Sequence, residues 1–243
     1  MSLSNGTVDL DSSAAGAEER AYLYIRGQIL DGIFQPGDRL PEEAVAQRIG
    51  LSRTPVRGAL HRLTTEGFVE FRRHVGAIVR VLPEEEVDQL FQVRVVLESL
   101  AAELAAMHAR EAMIDELDTL CTQMEAIVAS DKPDLVQIAR LNKQFHRTLL
   151  AASGNSHLRR IGENLGDLNV MVRSYTRYSG DAVNRSMAHH RELVQALRAR
   201  NPSWAKSVMT AHIEARRSAS RQIGEPHPAG KVADGWVSDR CGD

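Results

Sequence analysis

The pattern of the sequence changes at Leu82-Pro83, and this change restricts the possible folds more than any other feature. Before it lie three short stretches of helical periodicity and two short β-prone runs, FVEF and AIVRV, joined by the basic turn RRHVG. After it, apolar residues recur at helical spacing to about residue 222, with no second strand signal. A chain of 243 residues has room for two modest domains, so we expect a domain boundary here.

The first part of the chain predicts three short helices followed by a β-hairpin. A first helix is expected over 17–31, and a second from Pro41 to Gly50, where glycine suits a left-handed helix end. Ser52 is a natural N-cap for a third helix over 53–66. Three short helices with a tight glycine turn between the last two, followed by a hairpin, are typical of a winged helix-turn-helix.

The second part predicts an all-α bundle, so the fold class is mainly α. Proline, glycine and asparagine punctuate it into about six helices, near 84–108, 111–130, 133–152, 156–179, 182–199 and 202–222. The expected organisation is a flexible leader (1–16), a winged helix-turn-helix domain (17–82), a helical effector-binding domain (83–222) and a disordered tail (223–243).

Charge is distributed unevenly along the chain. Residues 20–80 hold ten arginines and six acidic side chains, whereas residues 1–19 hold four acids and no Lys or Arg. A basic segment in a chain of net charge -2 indicates an anionic partner, with the phosphate backbone the usual candidate. No apolar run approaches the ~20 residues that cross a bilayer, and the acidic start is unlike a signal peptide, so we expect a cytoplasmic protein with no membrane partner.

The third predicted helix carries the best candidates for contacting DNA. Arg53 and Arg57 are four residues apart near its N-terminus and share a face, while Arg72 and Arg73 lie in the basic turn of the hairpin. A recognition helix places its N-terminal residues at base edges in the major groove, where arginine can bond guanine with two hydrogen bonds. On charge spacing alone, a solvated basic face is an equally good interpretation.

The string GQILDGIFQPGDRLPEEAVAQRIGLSRTPVRGALHRLTTEGFVEFRRHVGAIV resembles the GntR family of bacterial winged-helix transcription regulators. The match covers about residues 20–81, and its most specific parts are the GxFxPGxRL turn and the SRTPVR start of the recognition helix. The resemblance implies that operator DNA is contacted by Ser52, Arg53, Thr54, Arg57 and Gly76. Gly58 departs from the family, which usually has Glu there, and a glycine inside a helix costs up to ~1 kcal/mol relative to alanine.

Histidines in the second part suggest a metal site. Asn142 and His146 are four residues apart on one predicted helix, and His190 and His212 lie on two later helices. A helical bundle can bring such side chains to one interior point, and imidazoles with an oxygen ligand suit Zn, Ni, Mn or Fe. A single histidine on an apolar helix face is more often a core residue, and spacing alone does not decide between the two.

Three stretches, RLNKQFHRTLLAASGN, HHRELVQAL and VMTAHIEA, look like the signatures of the FCD ligand-binding domain, which defines the FadR-like subfamily of GntR regulators. The resemblance covers about residues 84–218. It implies a divalent metal held by Asn142, His146, His190 and His212, for which we expect Zn, with Ni, Mn or Fe as alternatives. His189 stands where the family usually has Glu, so His190 is the preferred ligand and His189 the alternative.

The resemblance also implies an effector. Asn142 in place of the usual Asp removes a negative charge, which favours a carboxylate effector on the metal. Arg94 and Arg173 could pair with such a carboxylate, although an ion pair with an acid such as Glu98 is the simpler interpretation for Arg94. A histidine cluster that binds the effector directly, without metal, is also open.

These features together predict a ligand-responsive repressor, active as a homodimer on an inverted-repeat operator, and not an enzyme. Two alternatives share the histidines: a metal-dependent hydrolase, since three His with an open position resemble a catalytic zinc site, and a sensor whose only effector is the metal ion.

Overall fold

A computed structural model of the chain describes residues 10–170 and 180–221, and these residues form nine helices and one two-stranded hairpin. The chain divides into two compact units between Val81 and Leu82. The helices are α1 (Leu10–Leu30), α2 (Glu42–Ile49), α3 (Arg53–Thr65), α4 (Glu84–His108), α5 (Glu111–Val128), α6 (Leu135–Ala152), α7 (Ser156–Val170), α8 (Gly180–Arg198) and α9 (Pro202–Arg221). The strands are β1 (Val69–Arg72) and β2 (Gly76–Val79). The predicted fold class is confirmed.

The first unit is a winged helix-turn-helix. Gly50 ends α2 in the left-handed conformation, with φ of 66°, and lets the chain turn directly into α3. Strands β1 and β2 pair antiparallel from Val69 opposite Val79 to Arg72 opposite Gly76. Val56, Leu60 and Leu63 form the buried face of α3, as their helical spacing predicts, and this face fixes the opposite, polar face toward solvent.

The first helix begins at Leu10, seven residues before its predicted start, and therefore includes residues 10–16 of the expected leader. The segment DSSAAGAEER is rich in alanine, the best helix former, so local propensity favours a helix here without an apolar period. Absence of an apolar period was therefore a poor guide here. Residues 1–9 and the expected disordered tail, 223–243, lie outside the described residues.

The second unit is a bundle in which α4 contacts α6, α7, α8 and α9. Its helices begin and end close to the predicted positions. Helix α6 starts at Leu135 because Asp134 caps it, accepting hydrogen bonds of 3.0 Å from the backbone N–H groups of Val136 and Gln137. The expected continuation of α7 over 171–179 lies outside the described residues. Within the two described stretches, no helix is both long and apolar enough to cross a membrane.

Candidate nucleic-acid interface and candidate metal centre

The N-terminus of α3 presents four of the predicted DNA-contacting side chains on one exposed surface. Ser52 and Thr54 are exposed, and the side chains of Arg53 and Arg57 are 60% and 56% exposed. Ser52 occupies the N-cap position, yet its side chain makes no capping hydrogen bond. Because the first N–H groups of a helix have no partner inside the helix, this end can accept an anion such as a phosphate.

Glu42, in the first turn of α2, holds both arginines of this surface. The Nε and Nη2 atoms of Arg57 donate hydrogen bonds of 3.0 and 2.9 Å to its carboxylate, and Arg53 Nη2 lies 3.5 Å away. The bonds from Arg57, the largest influence, hold the pKa of Glu42 below its ordinary value. No role for Glu42 at this surface was predicted from the sequence. One sequence signal could have identified Glu42: an acid in the first turn of a helix that is followed by a glycine turn and then by a helix beginning with arginines.

The hairpin forms the wing, and its predicted residues lie at its tip. Arg73 is exposed, Arg72 pairs with a glutamate of its own strand at 2.6 Å, and Gly76 stands opposite Arg72 with φ of 88°. That backbone angle strains any residue with a Cβ, which explains the glycine. Arg39 donates a hydrogen bond of 2.9 Å to the Val75 carbonyl and so fixes the wing tip to the preceding turn.

The third arginine of α3 has a structural position. Arg62 Nη1 lies 2.5 Å from a Glu19 carboxylate oxygen on α1, and its guanidinium stacks 3.5 Å above the ring of Tyr22. These contacts join α3 to α1 on the side away from the α3 N-terminus. Only Arg53 and Arg57 therefore remain as candidates for reading bases from this helix.

In the second unit, His146, His190 and His212 meet inside the bundle from α6, α8 and α9. One nitrogen from each ring lies within 4.8 Å of the others, and all three residues are buried. The Nε2 atoms of His146 and His212 are 3.3 Å apart. Burial lowers the pKa of each of the three imidazoles, so all are neutral at neutral pH, which is the form that binds a metal ion.

Asn142 lies one helical turn before His146 on α6 and is buried, with 7% of its surface exposed. Its Oδ1 atom has no hydrogen-bond partner among the described residues, and neither do His190 Nδ1, His190 Nε2 and His212 Nδ1. Buried polar atoms without partners are costly and uncommon in folded proteins. The unpartnered nitrogens of His190 and His212 belong to the histidine cluster, and imidazole nitrogens without another partner are available to bind a metal ion.

Glu98 on α4 fixes the orientation of His146. One of its carboxylate oxygens accepts a hydrogen bond of 2.5 Å from His146 Nδ1, and the other accepts one of 2.6 Å from Arg94 Nε. Burial disfavours the carboxylate, but the charge of Arg94 and the hydrogen bonds from His146 and Arg94 outweigh it and lower the pKa of Glu98 to about 2. With its proton on Nδ1, His146 directs the lone pair of Nε2 toward the other two rings.

Arg94, His189 and Arg173 are the other residues predicted to bind the metal or the effector, and none of them joins the histidine cluster among the described residues. Arg94 is buried in its ion pair with Glu98, the simpler of the two interpretations, although its Nη1 atom has no partner among the described residues. His189, the alternative ligand, is only half-buried and does not join the three clustered rings. Arg173 lies outside the described residues. Sequence analysis named Glu98 only as an ion-pair partner, since nothing in the pattern connects it to His146, 48 residues later.

The cluster fits a metal ion. Two nitrogens that bind one tetrahedral Zn²⁺ at ~2.0–2.1 Å stand roughly 3.3 Å apart, and this is the separation of His146 Nε2 and His212 Nε2. An imidazole ligand that also donates to a carboxylate is the usual arrangement around protein-bound zinc, and His146 with Glu98 reproduces it.

Comparison with known protein families decides the class of the protein. Residues 17–79 match the model for bacterial regulatory proteins of the gntR family, and residues 89–215, more than half of the chain, match the FCD domain. The chain belongs to the GntR family of regulators. As a GntR-family member with an FCD domain it is a transcriptional regulator and not an enzyme, which excludes the metal-dependent hydrolase. Regulators of this family bind operator DNA.

Relatives of this GntR regulator agree with the assignment. It is 30% identical over 193 residues to the HTH-type transcriptional regulator YdhC of Bacillus subtilis, covering 79% of this chain and 85% of that protein. It is 30% identical to the probable D-xylose utilization operon transcriptional repressor of Paenarthrobacter nicotinovorans, covering 79% of this chain and 83% of the relative. The gluconate operon transcriptional repressor of Bacillus subtilis is 26% identical, with coverage of 78% and 79%.

Solved structures show the same fold. E. coli McbR/YncC superposes with a TM-score of 0.74 at 21% identity, covering 85% of this chain and 97% of that one. A GntR regulator from Rhodococcus sp. RHA1 gives a TM-score of 0.70 at 23% identity, with coverage of 86% and 97%. At these identities the likeness extends to the fold alone.

Proposed function

We propose that this regulator is a ligand-responsive repressor whose helical unit binds a divalent metal ion and, on that ion, a small carboxylate effector that changes operator affinity. One observation carries the proposal: three buried imidazoles from three helices meet with nitrogen atoms that have no other partner. Asn142, His146, His190 and His212 would hold the ion, with zinc the best match and Ni, Mn or Fe able to use the same ligands.

The chemistry of the ligands favours an anionic effector. Three neutral imidazoles and a neutral amide leave the full charge on a divalent ion, and Glu98 is already balanced by Arg94. When bound, the metal would act as a Lewis acid and could take a carboxylate as a further ligand beside these four side chains. The gluconate operon repressor among the relatives makes sugar acids the first class of carboxylate to test.

The proposed DNA interface consists of the α3 N-terminus and the wing. Ser52, Thr54 and the α3 backbone would hold phosphate, Arg53 and Arg57 would reach base edges, and Arg72, Arg73 and Gly76 of the wing would contact the adjacent groove or backbone. The exposure of these residues supports this assignment. A homodimer would place two such units on an inverted repeat, one half-site to each unit.

The effector would act by shifting a population between two states of the dimer. The ligands lie on α6, α8 and α9, so an effector on the metal would bind more tightly to one arrangement of these helices than to another. Only that difference in affinity can alter operator binding. A pure metal sensor would need the ion alone, and a metal-free site would bind the carboxylate on the imidazoles themselves.

Metal content and thermal stability of the purified full chain test the proposal. We expect about one divalent ion per chain, loss of that ion in His146→Ala, and a rise in melting temperature with one or more sugar acids or short carboxylates that disappears after chelation. A chain without stoichiometric metal, or one equally stabilised after chelation, contradicts the metal-bridged effector. Operator binding that responds to the ion and to no carboxylate indicates the metal sensor instead.

A further inference from the structure

The carboxylate of Glu42 contacts both arginines that the proposed interface uses to reach bases. It lies in the first turn of α2, and this helix is packed into the core of the first unit by Val45 and Ala46, which are 0% and 4% exposed. The Glu42 side chain is only 18% exposed, whereas Arg53 and Arg57 are exposed residues. A largely shielded acid on a packed helix therefore bonds to two arginines that face solvent.

Glu42 occupies one edge of the Arg57 guanidinium and leaves another edge open. Arg57 Nε donates to both carboxylate oxygens, at 3.0 and 3.2 Å, and Nη2 donates to one of them at 2.9 Å. A guanidinium is planar and carries its N–H groups in fixed directions, so these bonds use the edge formed by Nε and Nη2. The edge formed by Nη1 and the second N–H of Nη2 faces away from Glu42. Two parallel N–H groups on that edge match the O6 and N7 acceptors of guanine.

The ion pair between Glu42 and Arg57 matters more for orientation than for stability. Exposed ion pairs add little to the free energy of unfolding, because solvent screens the charges. An arginine side chain has many rotamers, and contact with one base requires that most of them be given up. Because Arg57 is already held at its Nε edge, less of this entropy is lost when DNA binds. Arg53 makes a single contact of 3.5 Å with the same carboxylate and is held more loosely.

We propose that Glu42 is a positioning residue for base recognition, which holds Arg57 with its Nη1–Nη2 edge directed at a guanine in the major groove. Glu42 thereby increases discrimination between operator and other DNA, and not the overall affinity for DNA. This inference rests on the proposed function, because it assumes that Arg57 reaches base edges. It adds a residue of the preceding helix to the determinants of operator sequence.

Selection from a library of DNA duplexes with a randomised central segment tests this inference on the full chain. Sequencing of the bound duplexes gives the preference for each base at each position. We expect the unmodified chain to prefer guanine at one position or more, and Arg57→Ala to lose that preference. Glu42→Gln keeps the size of the side chain but offers one acceptor oxygen in place of two. It should reduce the same preference about 10-fold, which is within the discrimination that a bidentate arginine supplies, and leave other positions unchanged.

Glu43→Gln is the matched control. Glu43 is exposed in the same turn of α2 and takes no part in the ion pairs of Arg53 and Arg57 among the described residues. Both changes remove one negative charge, so both should strengthen binding to all duplexes by similar factors, but Glu43→Gln should retain the guanine preference. Adding Glu42→Gln to Arg57→Ala should cause no further loss of sequence preference, because Glu42 acts through Arg57.

The outcomes separate this inference from the proposed interface. A guanine preference that Glu42→Gln leaves intact or strengthens would show that the carboxylate does not position Arg57. A further loss of preference in the double variant would show that Glu42 contacts DNA itself, and a base other than guanine at the position lost in Arg57→Ala would contradict the assigned edge. Each of these results overturns the inference and leaves the interface standing. If Arg57→Ala keeps every preference, or the unmodified chain selects no motif, the proposed interface fails and the inference fails with it.

Discussion

At the scale of single residues, Glu98 tests whether the cluster is a metal site. Glu98→Gln should lower metal affinity about 10- to 100-fold, because the carboxylate that orients His146 is lost while a hydrogen-bond acceptor remains for Arg94. Competition with a chelator of known affinity measures the change. Glu103→Gln is the matched control, because Glu103 is a partly buried glutamate on the same helix that pairs with Lys206 outside the cluster. Unchanged metal affinity in Glu98→Gln would show that His146 does not need its carboxylate partner.

Arg57 tests the proposed DNA interface. Arg57→Ala should weaken specific operator binding by ~1–3 kcal/mol if the guanidinium bonds a base, and should weaken non-specific binding less. Binding at fixed salt to the operator and to an unrelated duplex of equal length separates the two effects. Arg159→Gln, which also removes one positive charge but lies in the helical unit, controls for net charge. Operator binding equal to that of the unmodified protein would remove Arg57 from the interface.

At the scale of elements, two glycines inside helices should respond oppositely to alanine. At Gly162 an added Cβ would lie 2.6 Å from Leu150 Cδ2, a side chain buried between α6 and α7, so Gly162→Ala should destabilise by ~1–3 kcal/mol through overpacking. At Gly58 the added Cβ would meet the tip of the half-buried Glu18 side chain, which can rotate away. Gly58→Ala should therefore stabilise α3, by up to ~1 kcal/mol. Urea denaturation measures both, and equal signs would contradict this reading of the two contacts.

The ion pairs between α4 and α9 predict a pH dependence. Asp88 in the second turn of α4 accepts hydrogen bonds from Arg217, at 2.7 Å, and from Arg221. Arg217 is the main cause of a pKa of Asp88 well below the ordinary 3.8. A carboxyl group whose pKa is lower in the folded than in the unfolded protein stabilises the folded state. This stabilisation is complete at a pH above the unfolded-state pKa and is lost as the pH falls toward the folded-state pKa. The melting temperature of Asp88→Asn should thus lie below that of the unmodified protein at pH 6, and the difference should shrink below about pH 4. A constant difference over this range would contradict the assignment.

At the scale of the whole molecule, the exposed face of α4 is where we expect the proposed dimer to form. Val93, Val96, Leu100 and Met107 lie on one face at helical spacing and are 48%, 64%, 37% and 48% exposed in the single chain. Val96→Glu should convert the dimer to a monomer in sedimentation and weaken operator binding, because burying an unpaired charge is costly. Val136→Glu, an equally exposed valine on α6, is the control and should remain dimeric. A dimeric Val96→Glu would place the interface elsewhere.

Local features of the sequence predicted most of the architecture, and long-range contacts account for what they missed. Gly50 and Pro83 end and begin helices through their own backbone preferences, so the elements they delimit were predictable. The choice of His190 over His189 was an inference from family resemblance, and the phase of α8 brings only His190 into the cluster. The link from Glu98 to His146 depends on how α4 packs against α6, and no local pattern contains that information.

The order of the two units along the chain determines which unit is synthesised first. The first unit ends at Val81, whereas the cluster needs His212 on α9, so synthesis from the N-terminus finishes the DNA-binding unit first. At roughly 5–20 residues per second, the ribosome needs on the order of ten seconds to add the intervening chain. The DNA-binding unit can therefore fold before the histidine cluster is complete, and a chain truncated between the two would keep that unit but lack the site at which we propose the effector binds.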